Sequence, residues 1–280
     1  MPRNYKKRRE KISFEALMQI PSTAFVQIPD HRRANSSYHL ADLLRSAFAM
    51  FSLKSPSLLS FREQTTVERE NLRAIYQIGD IPGDTQMRAG LDPVDPQPLR
   101  EIFATLFGTL DHSGLVKEYE YWRSHVLVSV DGVSHFSSTR IHCPHCTTRT
   151  RRDGTTSYHH SGLAAVLIHP AHGEVFPLDF EPILNADGAR KNDCERSAAK
   201  RLSAALRERH PDLPLILVED ALYANAPHIR QITGYGWRFI LNVKPDSHAS
   251  LEKQFAGRRS TGQVRELRQI DPQGQQHYFA

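Results

Sequence analysis

The chain has 280 residues, of which 39% are hydrophobic and 24% charged, with a net charge of +5. That length can build one large or two small domains with a full core. No stretch approaches the roughly 18 apolar residues of a membrane span, no apolar segment follows the cationic start as in a secretory signal, and three cysteines make no disulfide framework. These features point to a soluble protein of a reducing, cytoplasmic compartment.

The charge excess is concentrated at the start, where Arg3, Lys6, Lys7, Arg8, Arg9 and Lys11 face Glu10 alone. Residues 1–12 read as a basic flexible tip, either solvated or drawn to a phosphate backbone by counterion release. Residues 13–115 read as a helical region that could bind DNA. Leu40, Leu43, Leu44, Ala47, Phe48 and Phe51 repeat at helical spacing over 38–51, with Ser37 as N-cap. A second helix is expected over 57–77 and a short one capped by Asp84. After the turn-rich segments around Gly79–Asp84 and Leu91–Pro98, a further helix runs from Pro98 to a stop at Ser113-Gly114.

At Tyr121 the pattern turns to strands. Residues 125–130 form a strand closed by Asp131, a second strand lies near 162–169, and Ala171–Glu174 turns into a third over 175–180. The three are expected to form an antiparallel meander. A helix over 193–209, a strand over 215–218 followed by Asp220, a helix over 226–233 and a strand over 237–243 complete a βββαβαβ order. This is an α/β fold, a mixed sheet covered by helices. A right-handed crossover through the 193–209 helix can bring the fourth strand beside the first. Asp131 and Asp220 would then close neighbouring strands, a place where carboxylates clamp Mg²⁺ for phosphoryl transfer.

In order along the chain stand Gly79-Asp-Ile-Pro-Gly-Asp-Thr-Gln-Met-Arg88, Val128-Ser-Val-Asp-Gly-Val133, Lys191-Asn-Asp-Cys-Glu195, Glu219-Asp-Ala-Leu-Tyr-Ala224 and Ile240-Leu-Asn-Val-Lys244. This set resembles the DDE transposases of bacterial insertion sequences, whose catalytic domain has an RNase H-like fold. The resemblance implies a catalytic core over 121–262. Asp131 and Asp220 would be its first two acids, holding Mg²⁺ or Mn²⁺ while water or a 3′-hydroxyl attacks a DNA phosphodiester. It also implies terminal-repeat and target DNA as partners, a homodimer, and a bacterial cytoplasm. In the family a β-rich insertion and then a helix with a third acid, a Glu, follow the fifth strand. Residues 263–280 look like the start of that insertion. Among the acids near the end, Asp246, Glu252, Glu266 and Asp271, none suits the third place, so the chain reads as a truncated transposase, inactive as it stands. Two other readings remain: a non-catalytic DNA-binding protein on the same scaffold, and a metal-dependent nuclease of that fold.

Cys143-Pro-His-Cys146 has the spacing of two thiolates on one Zn²⁺, which is half a site. His142, His145, His159, His160 and Cys194 are candidates to complete it, with His159 or His160 reachable by folding back the loop. Arg149, Arg151 and Arg152, with Arg140 nearby, form a basic cluster suited to DNA phosphates; Tyr223 could touch DNA or simply pack, and Lys244 could contact a phosphate or be solvated at the surface. Asp193 is expected to cap its helix, with the 191–195 cluster alternatively walling the site near Asp220.

Overall fold

The computed structural model describes residues 12–185, 193–244, 248–265, 267–270 and 274–279. The basic tip before residue 12, Lys191, Asn192, Asp246, Glu266 and Asp271 lie outside these. The chain divides into two compact units, residues 1–216 and 217–280, with the boundary inside a strand.

The first unit opens with α1 (Phe14–Gln27), α2 (Leu40–Ser52), α3 (Leu58–Val67), α4 (Arg69–Tyr76), α5 (Asp84–Leu91) and, behind a 3-10 turn over Gln97–Leu99, α6 (Arg100–His112). Ser13 starts α1 by accepting the Ala16 N–H, and the helix continues through Pro21, which hid it from the sequence pattern. The helix expected over 57–77 is two helices. Its break falls at Glu68, whose backbone (φ -106°, ψ 19°) leaves the helical conformation. His39, not Ser37, precedes α2, and Gly83 precedes Asp84 at the start of α5.

Two apolar clusters hold this region. Ala49, Phe61, Leu72, Ile78 and Met87 form one, and Phe25, Ile28, Leu40 and Leu44 the other. Arg45 of α2 crosses to α1, donating to the Ser22 carbonyl at 3.2 Å, and to the Gln77 carbonyl at 3.1 Å. Gln77 ends α4 in the left-handed conformation (φ 56°).

After a short strand β1 (Glu120–Trp122), the meander follows: β2 (His125–Ser138), β4 (Thr156–Ile168) and β5 (Phe176–Ile183), with β3 (Thr147–Thr150) inserted between β2 and β4. β2 pairs antiparallel with β4, β4 with β5 and with β3, and β1 with β2. The expected meander is present, but β2 does not close at Asp131. Its ladder runs on to Ser138, because the mostly exposed residues after Asp131 still pair with β4; only the buried part of the strand ends at Val130.

Helix α7 (Glu195–Arg209) buries Ala198, Ala199, Leu202 and Leu206, as its spacing predicts. Cys194, rather than Asp193, is its N-cap residue; Asp193 instead accepts the Cys194 N–H and pairs with Arg201 at 2.6 Å. β6 (Leu215–Glu219) starts beside β2, where the Val126 N–H donates to the Pro214 carbonyl at 3.0 Å. The result is a mixed α/β fold with a mixed sheet.

Three arginines and two acids tie helices to β5. Arg100 of α6 donates from Nε and Nη2 to the two carboxylate oxygens of Asp179 at 2.8 and 2.7 Å, and from Nη1 to Glu181. Arg201 of α7 takes the other Glu181 oxygen, and Arg209 reaches Asp179 at 2.9 Å and Glu101 at 3.0 Å. Burial works against the Arg100 charge, yet Asp179 and Glu181 overcome it and raise its pKa.

Gly162 has no room for a side chain: a Cβ there would stand 2.3 Å from Phe180 Cζ and 2.8 Å from the Glu181 carbonyl oxygen. Gly162→Ala is therefore expected to destabilise the first unit by about 1–3 kcal/mol, the usual cost of overpacking. Urea unfolding of the variant against wild type checks this.

His210, at the end of α7, is buried with its ring 4.6 Å from that of Phe107. Its Nε2 has no hydrogen-bond partner among the described residues. Burial pushes its pKa below 6.5; Arg209 adds to this, while Asp179 and Asp111 oppose it. A buried neutral histidine gives its full stability above its unfolded pKa, and that stability is lost as pH falls from there through the lower folded value. Urea unfolding across pH 7.5 to 5 should show stability declining toward acid. His210→Gln should remove up to about 1.4 kcal/mol per pH unit of that slope.

In the second unit, the end of β6 leads through a 3-10 turn (Ala221–Tyr223) to α8 (Ala226–Gly234), β7 (Arg238–Leu241), α9 (Ala249–Ser260) and a hairpin of β8 (Leu267–Ile270) with β9 (Gln276–Phe279). Asn225 caps α8 by accepting the His228 N–H. The Asn242 N–H donates to the Glu219 carbonyl at 3.0 Å, joining the ends of β7 and β6. Helix α9 went unnoticed in the sequence, where its scattered apolar residues mark no face. Among the described residues no helix is long and apolar enough to cross a membrane.

Candidate acidic site and cysteine cluster

Asp131 lies on β2 in the first unit, opposite Ala164 of β4, with its side chain exposed. Its Oδ1 accepts the N–H of Gly132 at 2.7 Å. Among the described residues it forms no ion pair, so this carboxylate is an uncommitted hard oxygen donor. Gly132 matters for what stands over it. A Cβ at this position would lie 3.0 Å from Glu195 Oε1. The first residue of α7 thus brings a second carboxylate against the strand segment that carries Asp131. The sequence reading linked this cluster to Asp220; the glycine after Asp131 was the available sign of the close approach.

Asp220 belongs to the second unit. It follows β6 directly, is exposed, and caps the 3-10 turn, its Oδ1 accepting the Leu222 N–H at 2.8 Å. The strand end behind it is fixed from inside: buried Glu219 and buried His228 of α8 meet at 2.7 Å. Glu219–His228 holds the backbone from which Asp220 projects, a support that the sequence did not reveal. Glu252, one of the acids weighed for a third position, sits in the first turn of α9.

Two expected DNA contacts fare differently. Lys244 is exposed beyond β7. Tyr223 is a correction: it is 1% exposed, with its ring 5.6 Å from that of His228, and belongs to the core. It closes the 3-10 turn that Asp220 caps, with its side chain inside.

Arg149, Arg151 and Arg152 stand together on β3 and the turn into β4, lining with Thr150, Ser157 and His159 a cleft of about 410 Å³. All three are exposed, and among the described residues none is ion-paired. The turn is fixed by the Arg151 N–H donating to the Thr155 carbonyl and by Gly154 at φ 83°.

Beside this hairpin the structure brings together Cys143, Cys146 and His160. The sulfurs are 3.8 Å apart, and His160 Nε2 is 3.2 Å from each. Of the histidines weighed, strand alternation selects His160: His159 points away, with Nε2 2.8 Å from the Ser157 hydroxyl. His142 stacks on Tyr158, His145 is exposed, and Cys194 is at the start of α7 near Ser197. Burial pushes the Cys146 thiol up, and pushes the His160 imidazole down with help from His145 and against Asp92.

No protein-family model and no curated protein matches this chain.

Proposed function

We propose that the chain carries the first two acids of the catalytic domain of a DDE-type transposase with an RNase H-like sheet, directed to the DNA of an insertion sequence, with no residue of the chain suited to the third acid's place. The observation that carries this reading is the placing of two uncommitted acids on a particular order of elements. Asp131 lies on the first strand of an antiparallel meander, and Asp220 directly follows the strand reached through α7, which starts beside β2.

Each aspartate is an exposed carboxylate that accepts a nearby backbone N–H, and among the described residues neither is ion-paired; oxygen donors of this kind suit Mg²⁺ or Mn²⁺. Such ions, when bound, stabilise the charge that builds on the attacking and leaving oxygens of a phosphodiester. The chain's own part is positional. Glu219–His228 steadies the Asp220 end of β6, and the β2–β4 ladder steadies Asp131. Arg149, Arg151 and Arg152 offer charge to the DNA backbone without reading sequence.

The test is Mn²⁺-dependent cleavage of a terminal-repeat duplex by the full chain, compared with Asp131→Ala and Asp220→Ala. Each substitution should lower cleavage by about 10²-fold or more while DNA affinity at fixed salt holds. Unchanged cleavage in either variant sinks the reading. If the wild type itself does not cut, Mn²⁺ binding followed by electron paramagnetic resonance must still depend on both aspartates. DNA binding with neither cleavage nor Mn²⁺ binding would favour the non-catalytic scaffold instead.

A further inference from the structure

We infer that Cys143, Cys146 and His160 hold a zinc ion that staples the loop after β2 to strand β4. Two sulfurs each about 2.3 Å from a tetrahedral zinc stand about 3.8 Å apart, which is the separation found. A nitrogen about 2.0–2.1 Å from the same ion would be about 3.5 Å from each sulfur. His160 Nε2 lies within a few tenths of an ångström of that, and symmetrically between the two. The three atoms therefore surround a point at bonding distance from all of them, and their types favour a borderline-soft cation over Mg²⁺.

The surroundings are built for this arrangement. Cys146 is 2% exposed, so its sulfur is held in place, and the Cys146 N–H closes a turn onto the Cys143 carbonyl at 3.2 Å. The Cys143 N–H points at the Cys146 sulfur at 3.4 Å, a donor that steadies a thiolate. The Asn185 N–H donates to the His145 carbonyl at 3.0 Å, tying the loop to the end of β5. The His135 ring lies nearly parallel to that of His160, with centroids 6.0 Å apart. Binding makes two Zn–S bonds and one Zn–N bond, and releases the two thiol protons to solvent, while His160 coordinates as the neutral imidazole. The fourth position takes water or the exposed His145.

β3 begins at Thr147, the residue after Cys146, so the ion would anchor the strand that carries Arg149. This holds whether or not the two aspartates cut DNA.

The full chain, purified reduced and without chelator, should contain one zinc by plasma mass spectrometry. Cys143→Ser, Cys146→Ser and His160→Ala should each lower the content at least about 10-fold, while Cys194→Ser and His159→Ala keep it. Circular dichroism reports folding of each variant. Should a variant not fold, a mercurial titration of the wild type replaces it, and zinc must then leave in step with the modification of two thiols. The inference is overturned by a reduced wild type that takes up no zinc on reconstitution. It is equally overturned by zinc retained in Cys143→Ser and Cys146→Ser, or by a Cys143–Cys146 disulfide in the purified protein.

Discussion

Replacing Arg100 by Met is expected to destabilise the first unit by about 3–5 kcal/mol, the usual cost of removing one partner from a buried ion pair. The side chains of Arg100, Asp179 and Glu181 are 7%, 0% and 5% exposed, so water cannot replace the lost guanidinium. Arg201 and Arg209 still reach these acids, but from the more exposed side of the cluster, each covering only one oxygen. Arg100→Lys should fail in part as well, since an ammonium cannot make the two parallel bonds to Asp179. The triple variant Arg100→Met, Asp179→Asn, Glu181→Gln should recover much of the loss by removing the stranded charges. Urea unfolding followed by circular dichroism measures all three. A loss below about 1 kcal/mol for Arg100→Met would place this cluster among surface pairs and overturn its role in joining α6 to β5.

That cluster also shows where the sequence stopped being informative. Arg100 stands in a helix read from its apolar face, and Asp179 and Glu181 in or beside an expected strand. Nothing local says that charges about 80 residues apart will meet in the interior. What a fixed period or a local spacing encodes could be read: the α7 face, the meander, β6 with Asp220 behind it. What depended on pairing could not. β2 was expected to end at Asp131, because burial ends there, but the ladder continues on mostly exposed residues that only β4 makes intelligible. The helix at 57–77 was read through Glu68, where the helical backbone breaks, and Pro21 hid α1.

The candidate sites divide in the same way. Cys143 and Cys146 were legible as a pair from their spacing, whereas the choice of His160 over His159 needed the register of β4 against β2 and β3. Tyr223 was nominated for DNA because it follows Asp220 by three residues; it closes the turn that Asp220 caps and is buried. Glu195 over Gly132 and His228 behind Glu219 are contacts between elements distant in sequence, and a single sequence has no means of announcing them.

Asp131→Ala and Asp220→Ala should each reduce Mn²⁺-dependent cleavage by about 10² or more, the loss expected when a reacting group is misplaced by about 1 Å, and the double variant should be scarcely worse than either. The non-additivity is the decisive part. Groups that act as one unit lose their joint contribution when the first is removed, whereas two independent structural defects would multiply. Neither aspartate is buried or ion-paired among the described residues, and each accepts one nearby backbone N–H. Substitution should therefore leave unfolding midpoints close to wild type, apart from the cap that Asp220 provides, where Asp220→Asn keeps the acceptor and removes the charge. If Asp220→Asn retains both the cap and full cleavage, the carboxylate charge is not needed at β6 and the acid-pair chemistry is wrong. Single losses that multiply in the double variant would mean that the two residues act separately, and the proposed function would fall with them.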